Sequence, residues 1–287
     1  MSHNPEGVPF PSLSVSPADP PAPWIGGKRH LAKRICQVLA STPHTSYCEV
    51  FLGMGGVFLR RAIRPGHEVV NDISGDVTNL FRVLRAHPDA LLGELRWRPA
   101  MRAEFDRLKT MAAYDLTDIE RAARFLYLQR LAFGGKVRGR SWGTDRTKPH
   151  NFDVRWLEPR LRRLHDRLAD VVIEQLDWAD FIPQYDHAGA LFYLDPPYYG
   201  SEDDYGREIF SRADFAQLAE VLAGIKGRFL LSINDVPEMR AAFAWADIEA
   251  VQTTYSIAGG EHAAPASELL IGKGVPLGLA EPQSRLF

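Results

Sequence analysis

The feature that most constrains this chain is a pattern of short apolar runs stopped by residues through which a strand cannot continue. Tyr47-Cys48-Glu49-Val50-Phe51-Leu52 halts at Gly53-Met54-Gly55-Gly56, which reads as a buried strand entering a glycine turn. Val57 to Ala62 then starts a helix, and Glu68-Val69-Val70-Asn71-Asp72 forms a second strand that ends on an acid. A helix from about Thr78 to Ala86 follows. Strand, glycine turn, helix, strand and acid, in that order, make a nucleotide-type α/β unit. Past the middle, Val171-Val172-Ile173 is a strand, and Ala190 to Leu194 is another that runs into Asp195-Pro196-Pro197-Tyr198. Ser211 and Asp214 fit a capping box for a helix to about Ile225. Phe229 to Ile233 reads as a strand, Val236 to Phe243 as a helix, and Glu268 to Ile271 as a last short strand. Helical spacing also covers Leu31 to Leu39.

The two α/β stretches are separated by something different. From about Ala90 to Leu131 the pattern is mostly helical. Phe133 to Asp153 is rich in Gly, Arg, Ser, Thr and Asn, as in a long loop or irregular hairpin, and Leu157 to Leu168 reads as a basic helix. The expected organisation is an α/β sheet domain with helices on both faces, made of residues 23–90 and 168–275. A basic, mostly helical domain is inserted at 91–167, and a tail covers 276–287. Residues 1–22 hold six of the 20 prolines and no hydrophobic period, so they are expected to be a disordered leader. Asp203 to Glu208 is expected to be an acidic loop.

Charge sharpens the division. The chain has 34 Lys and Arg against 36 Asp and Glu, a net charge of −2. Between Arg121 and Arg167 there are 13 basic residues and four acids, so this segment is +9 and the remainder −11. A phosphate backbone responds to regional charge, because screening limits its reach to about 8 Å. The same run also suits a solvated helix face.

Several classes are excluded or left without support. No apolar run approaches the roughly 18–20 residues of a membrane span, and the first residues lack the basic start and apolar stretch of a signal peptide. Cys36 and Cys48 give no disulfide framework and no zinc spacing. The nine histidines include no His-Glu-x-x-His, and neither a P-loop nor a Gly-x-Ser-x-Gly elbow occurs. The expectation is a soluble, cytoplasmic protein without a metal.

The sharpest chemical signal is Asp195-Pro196-Pro197-Tyr198. Two prolines lack N–H donors and stiffen the turn, so the Asp195 carboxylate and the Pro196 carbonyl can face one point. An exocyclic amine on a base carries two N–H donors and needs two such acceptors. Pulling on both localises a lone pair otherwise delocalised into the ring. Tyr198 offers a face for stacking a base. A strand-terminating turn with a core Tyr is the plain alternative. Asp72, about 20 residues past Gly53, lies where a ribose diol would be held. Trp24-Ile25-Gly26-Gly27-Lys28 fits a lid with a cationic tip, and equally a hydrophobic anchor beside a solvated Lys. Lys136, Arg138 and Arg140, with Phe133 and Trp142, fit a loop that tracks or enters a nucleic-acid groove.

These motifs, in this order, resemble the Dam-type DNA adenine-N6 methyltransferases, which use S-adenosylmethionine. The resemblance runs from about Pro23 to Lys273. Phe125 to Arg130, followed by Phe133-Gly134-Gly135, is similar to the segment leading into that family's DNA-reading region. Asn151-Phe152 resembles its exit, and Glu268-Leu269-Leu270-Ile271 its closing strand. The family often has Asn where this chain has Gly134, and the stretch from Gly139 to His150 has its own sequence. The resemblance implies that Trp24 and Lys28 hold the cofactor, with Lys28 near its carboxylate. Glu49, Phe51, Gly53 and Gly55 would line the turn beside it, Asp72 would bind its ribose, and Asp180-Phe181 would flank its adenine. Asp195, Pro196, Pro197 and Tyr198 would carry catalysis on an adenine flipped out of duplex DNA. Arg130, Phe133, Lys136, Arg138, Arg140 and Asn151 would contact that DNA. A cognate restriction nuclease would be a partner, in a prokaryotic or phage setting. Methylation of cytosine N4 or of RNA adenine, and a non-catalytic DNA-binding relative, are the other readings.

Overall fold

The computed structural model describes residues 12–143, 150–200, 210–255 and 264–278. The elements of the sheet are β2 (Ser46–Glu49), β4 (His67–Asn71), β5 (Val171–Glu174), β6 (Ala190–Leu194), β7 (Arg228–Asn234), β8 (Asp247–Tyr255) and β9 (Ala264–Lys273). A two-stranded antiparallel pair, β1 (Leu13–Ser14) with β3 (Ile63–Arg64), stands apart from it. The helices are α1 (Ala32–Ser41), α2 (Gly75–Ala86), α3 (Pro88–Arg96), α4 (Arg102–Thr110), α5 (Asp118–Leu131), α6 (Val154–Arg167), α7 (Trp178–Tyr185), α8 (Arg212–Gly224) and α9 (Pro237–Ala242).

The strand order is β5-β4-β2-β6-β7-β9-β8. The first five strands are parallel, and β9 and β8 close the edge antiparallel. The chain builds outward from β2 through β4 to β5, then returns to place β6 on the other side of β2. The order therefore reverses between β2 and β6, and in such sheets ligands bind in the crevice outside the carboxyl ends of the strands at that point. Alternate side chains serve opposite faces. Tyr47, Leu191 and Tyr193 enter one apolar cluster with α1, α2 and the helices up to α6, while Cys48, Phe192 and Leu194 enter a second with α7 and α8. This is a three-layer α/β/α arrangement with both sheet faces covered. Leu91, Phe105, Phe125 and Leu161 belong to the same cluster as the sheet residues, so the helices between α2 and β5 do not build a core of their own.

A buried charge triad fixes α6 to the sheet. Glu68 of β4 accepts from Arg61 at 2.6 Å and from both Nη atoms of Arg167 at 2.6 and 2.9 Å. Removing one member of such a group strands buried charge, at a cost of roughly 3–5 kcal/mol.

Four local expectations need correction. Residues 12–22 are placed, although they were expected to belong to a disordered leader. Val15 donates to the Ala62 carbonyl at 2.9 Å and Ala18 to the Leu59 carbonyl at 2.8 Å, and Ala18 and Ala22 are buried. Backbone bonds and small side chains hold this segment, so it needs no hydrophobic period. Residues 57–62 form one 3₁₀ turn over Phe58–Arg60, because Arg61 is extended with its guanidinium drawn onto Glu68. The closing strand β9 spans ten residues and pairs with a full strand, β8, that was not anticipated. Helix α7 was likewise unanticipated; its N-cap Asp177 accepts from Ala179 N–H. The acidic loop expected at Asp203 to Glu208 lies outside the described residues. Among the described residues, no helix is long and apolar enough to cross a membrane.

Candidate active site

The carboxyl ends of β2, β4, β6 and β7 converge where the sheet order reverses. Asn71, buried at the end of β4, clamps this edge. Its Nδ2 donates to the carbonyls of Val50 and Leu176, both at 3.0 Å, and its Oδ1 accepts from Leu176 N–H at 2.9 Å. The next residue, Asp72, accepts from Gly53 N–H at 2.8 Å and from Ser74 N–H at 2.9 Å. Burial pushes its carboxyl up to about 6 against these two bonds.

The glycine turn after β2 does two different jobs. Gly53 has φ +51°, and a Cβ there would stand 2.7 Å from Trp24 Nε1, so the indole lies directly on the turn. Gly55 has φ +71°, and its absent Cβ faces Leu59 and Phe81. At that glycine the missing side chain makes room for packing beneath the turn. Phe51 is half-buried, edge-on to Phe210 at 5.7 Å.

Trp24 to Lys28 forms a tight turn, with Gly27 N–H donating to the Trp24 carbonyl at 3.1 Å and Gly26 at φ +69°. This turn directs Lys28 inward, where it is only 3% exposed. Its Nζ lies 2.6 Å from Asp195 Oδ1, donates to Tyr198 Oη at 2.9 Å and to the Gly26 carbonyl at 3.3 Å, and stands 3.7 Å from Glu268 Oε2. The ammonium thus lies on the Asp195–Tyr198 turn, drawn there by the Asp195 and Glu268 carboxylates.

Asp195 follows the last residue of β6, and Ser232 of β7 donates to its Oδ1 at 3.2 Å. Ser232 is in turn 2.8 Å from Tyr193 Oη. Pro196 and Pro197 are buried, and the turn is fastened to β7 by a reciprocal pair: Tyr199 N–H to Asn234 Oδ1 and Asn234 Nδ2 to the Tyr199 carbonyl, both at 3.0 Å. Burial pushes Asp195 up, opposed by Lys28 and Ser232. Glu49, at the end of β2 and 1% exposed, accepts from Tyr47 Oη at 2.5 Å. Burial raises its carboxyl to about 8. Glu268, on β9, is also raised by burial, with Lys28 pulling the other way. Asp195 and Glu268 thus share one ammonium, two acids of the crevice to one base. That donor set fits a cofactor that carries a cationic sulfonium.

The structure does not bring every expected residue together. Phe181 is fully buried, its ring 4.8 Å from that of Tyr185. It is part of the core beneath α7 and presents no face to a ligand, while Asp180 sits exposed on the first turn of that helix. Arg130 and Arg140, expected to contact nucleic acid, are half-buried and bonded within the protein. Arg130 Nε donates to the Asn151 carbonyl at 2.6 Å, Nη2 donates to the same carbonyl, and Nη1 reaches the Pro21 carbonyl at 3.3 Å. Arg140 donates to Gln129 Oε1 at 3.3 and 3.2 Å and lies over the Phe125 ring. Burial lowers both guanidinium groups to about 10. Phe133, Lys136, Arg138 and Asn151 remain at the surface. The base of this loop is bonded to the Trp24 segment, through Ile25 N–H to the Gly135 carbonyl at 3.1 Å and Gln129 Nε2 to the Pro23 carbonyl at 2.9 Å.

Ser232, Asn234 and Glu268 were missed by sequence reasoning. The signal available was polar residues at alternate positions in an otherwise apolar strand end, Leu231-Ser232-Ile233-Asn234. Among the described residues, no group of three or more His, Cys, Asp or Glu is arranged to hold a metal ion.

Residues 24–257 match the family model described as D12 class N6 adenine-specific DNA methyltransferase. The chain is 26% identical over 260 residues to the type II methyltransferase M1.LlaDCHI of Lactococcus lactis subsp. cremoris, covering 80% of this chain and 87% of that one. It is 25% identical over 254 residues to a DNA adenine methylase of Vibrio cholerae, covering 82% and 88%. It is 23% identical over 226 residues to the type II methyltransferase M.CviBI of Paramecium bursaria Chlorella virus NC1A, covering 77% and 84%.

Proposed function

The chain belongs to the D12 class N6 adenine-specific DNA methyltransferase family, and from that premise we propose how its residues divide the work. The cofactor is S-adenosylmethionine, which when bound supplies an electrophilic methyl group on a cationic sulfur. Asp72 would hold its ribose hydroxyls. Trp24, Glu49, Phe51 and the Gly53 turn would line its path, and the Asp195 carboxylate would face its positive charge.

The substrate is duplex DNA, in which the adenine N6 is paired, so the target base must leave the stack to be reached. Tyr198 stacks the extruded base. The Asp195 carboxylate and the Pro196 carbonyl accept the two N–H bonds of N6 and orient its lone pair for attack. The chain contributes positioning and a preorganised field. Asp195 need not be a strong base, because the proton can leave after methyl transfer. Phe133, Lys136 and Arg138, at the surface of the loop bonded to the Trp24 segment, contact the duplex. The protein acts in the cytoplasm, with a restriction nuclease of the same recognition site as its partner.

The observation that carries this reading is the pairing of the Asp195–Tyr198 turn and Lys28 at the carboxyl ends of β2 and β6, where the sheet order reverses. Calorimetric titration with S-adenosylmethionine tests it. Binding is expected for the native chain, with a loss of about tenfold or more in Asp72→Ala, which gives up hydrogen bonds to a charged acceptor. Equal affinity in the variant would remove Asp72 from the cofactor site.

A further inference from the structure

Glu268 stands out among the buried groups of the crevice. It is 1% exposed, and its Oε2 has no hydrogen-bond partner among the described residues. Lys28 Nζ is 3.7 Å away, too far for a hydrogen bond. The three N–H donors of that ammonium are spent on Asp195 Oδ1, Tyr198 Oη and the Gly26 carbonyl. While Lys28 stays there, two things follow. A buried carboxylate oxygen goes unserved, which is costly. The Asp195 carboxylate, needed as an acceptor for the target amine, is also held by a strong charge-assisted bond.

We propose that Glu268 is a positioning residue: it is the second seat of the Lys28 ammonium, receiving it from Asp195 when the target amine docks. This rests on the methyltransferase reading and deepens it. A shift of about 1 Å brings Nζ to bonding distance of Oε2. The exchange replaces one ion pair with another inside the same cavity, so the ammonium is never without a counter-charge. It also satisfies the stranded oxygen at the moment Asp195 gains a substrate N–H to accept. Lys28 holds down the raised carboxyls of both Asp195 and Glu268, as expected of a counter-charge they share.

The test is single-turnover methyl transfer from S-adenosylmethionine to duplex DNA by native protein and Glu268→Gln, each also in a Lys28→Met background. Glu268→Gln should slow transfer about tenfold or more in the native background, with DNA and cofactor dissociation constants within about twofold. In the Lys28→Met background the same change should matter less than about twofold, because no ammonium remains to be received. Glu268→Asp keeps the charge, should recover part of the rate, and serves in the same cycle if the Gln variant does not fold. A native rate in Glu268→Gln, or an equal loss in both backgrounds, would overturn the proposal. Absence of transfer by the native chain would instead overturn the parent reading.

Discussion

Glu49→Gln isolates the largest electrostatic strain in the crevice for which a size can be worked out. The native carboxyl titrates near 8, against 4.5 for an unperturbed glutamate, and burial is the main cause. The folded state therefore holds a proton that the unfolded chain releases. The associated stability is fully present below about pH 4.5 and is lost as pH rises to about 8. A difference of about 3.5 units, at roughly 1.4 kcal/mol each, amounts to about 4–5 kcal/mol at pH 9. Glutamine matches the protonated acid in shape, and its carbonyl can still accept from Tyr47 Oη. Differential scanning calorimetry at pH 5, 7 and 9 reads the effect. At pH 9 the variant should melt higher by roughly 8–10 °C, taking about 2 °C per kcal/mol for a chain of this length. At pH 5 the two should agree within about 2 °C. A variant that melts lower at every pH, or by the same margin at every pH, would refute the reasoning, because the ionised carboxylate would then be no burden to the fold.

Two further outcomes follow from the geometry. Changing Lys136 and Arg138 to Glu should weaken DNA binding and lower the salt slope by roughly one unit for each phosphate that is no longer neutralised; an unchanged slope in a salt titration would move the interface elsewhere. Gly53→Ala combines a φ of +51° with a Cβ 2.7 Å from Trp24 Nε1, so it should cost about 1–3 kcal/mol of stability and weaken cofactor binding by displacing the indole. A native melting temperature and native affinity would show that the turn has room.

The strands that position the site were legible because buried parallel strands are apolar runs, and theirs stop on Gly53, Asp72 and Asp195. The same logic does not reach β8, an edge strand whose Asp247-Ile248-Glu249-Ala250 start is half polar. Nor does it reach residues 12–22, which are held by backbone bonds to Leu59 and Ala62. Lys28, Asp72 and Asp195 were legible as motifs, but their contacts were not. That Lys28 would lie on Asp195 depends on a 167-residue separation closed only by the fold.

The basic segment shows the limit of counting charge. Among the described residues, at least eight of its guanidinium groups bond within the protein, Arg160 to Asp19 at 3.5 Å among them. Arg121 bonds Asp76, Arg124 the Leu108 carbonyl, Arg130 the Asn151 carbonyl, and Arg140 Gln129. Arg155 bonds Asp153, Arg162 Glu158, and Arg167 Glu68. Sequence records how many charges a segment carries and does not record which way each one points. Ser232, Asn234 and Glu268 escaped for the same reason, since a polar residue in an apolar strand is informative only once its partner is known.

The central claim is that the Asp195 turn presents adenine N6 for methylation. Its most direct test is nucleoside mass analysis of duplex DNA incubated with S-adenosylmethionine and either native protein or Asp195→Ala. The native chain should produce N6-methyldeoxyadenosine. The variant should produce none, while still retarding the same DNA in a binding assay. Methyl groups found on cytosine N4, or full adenine methylation by Asp195→Ala, would contradict the account.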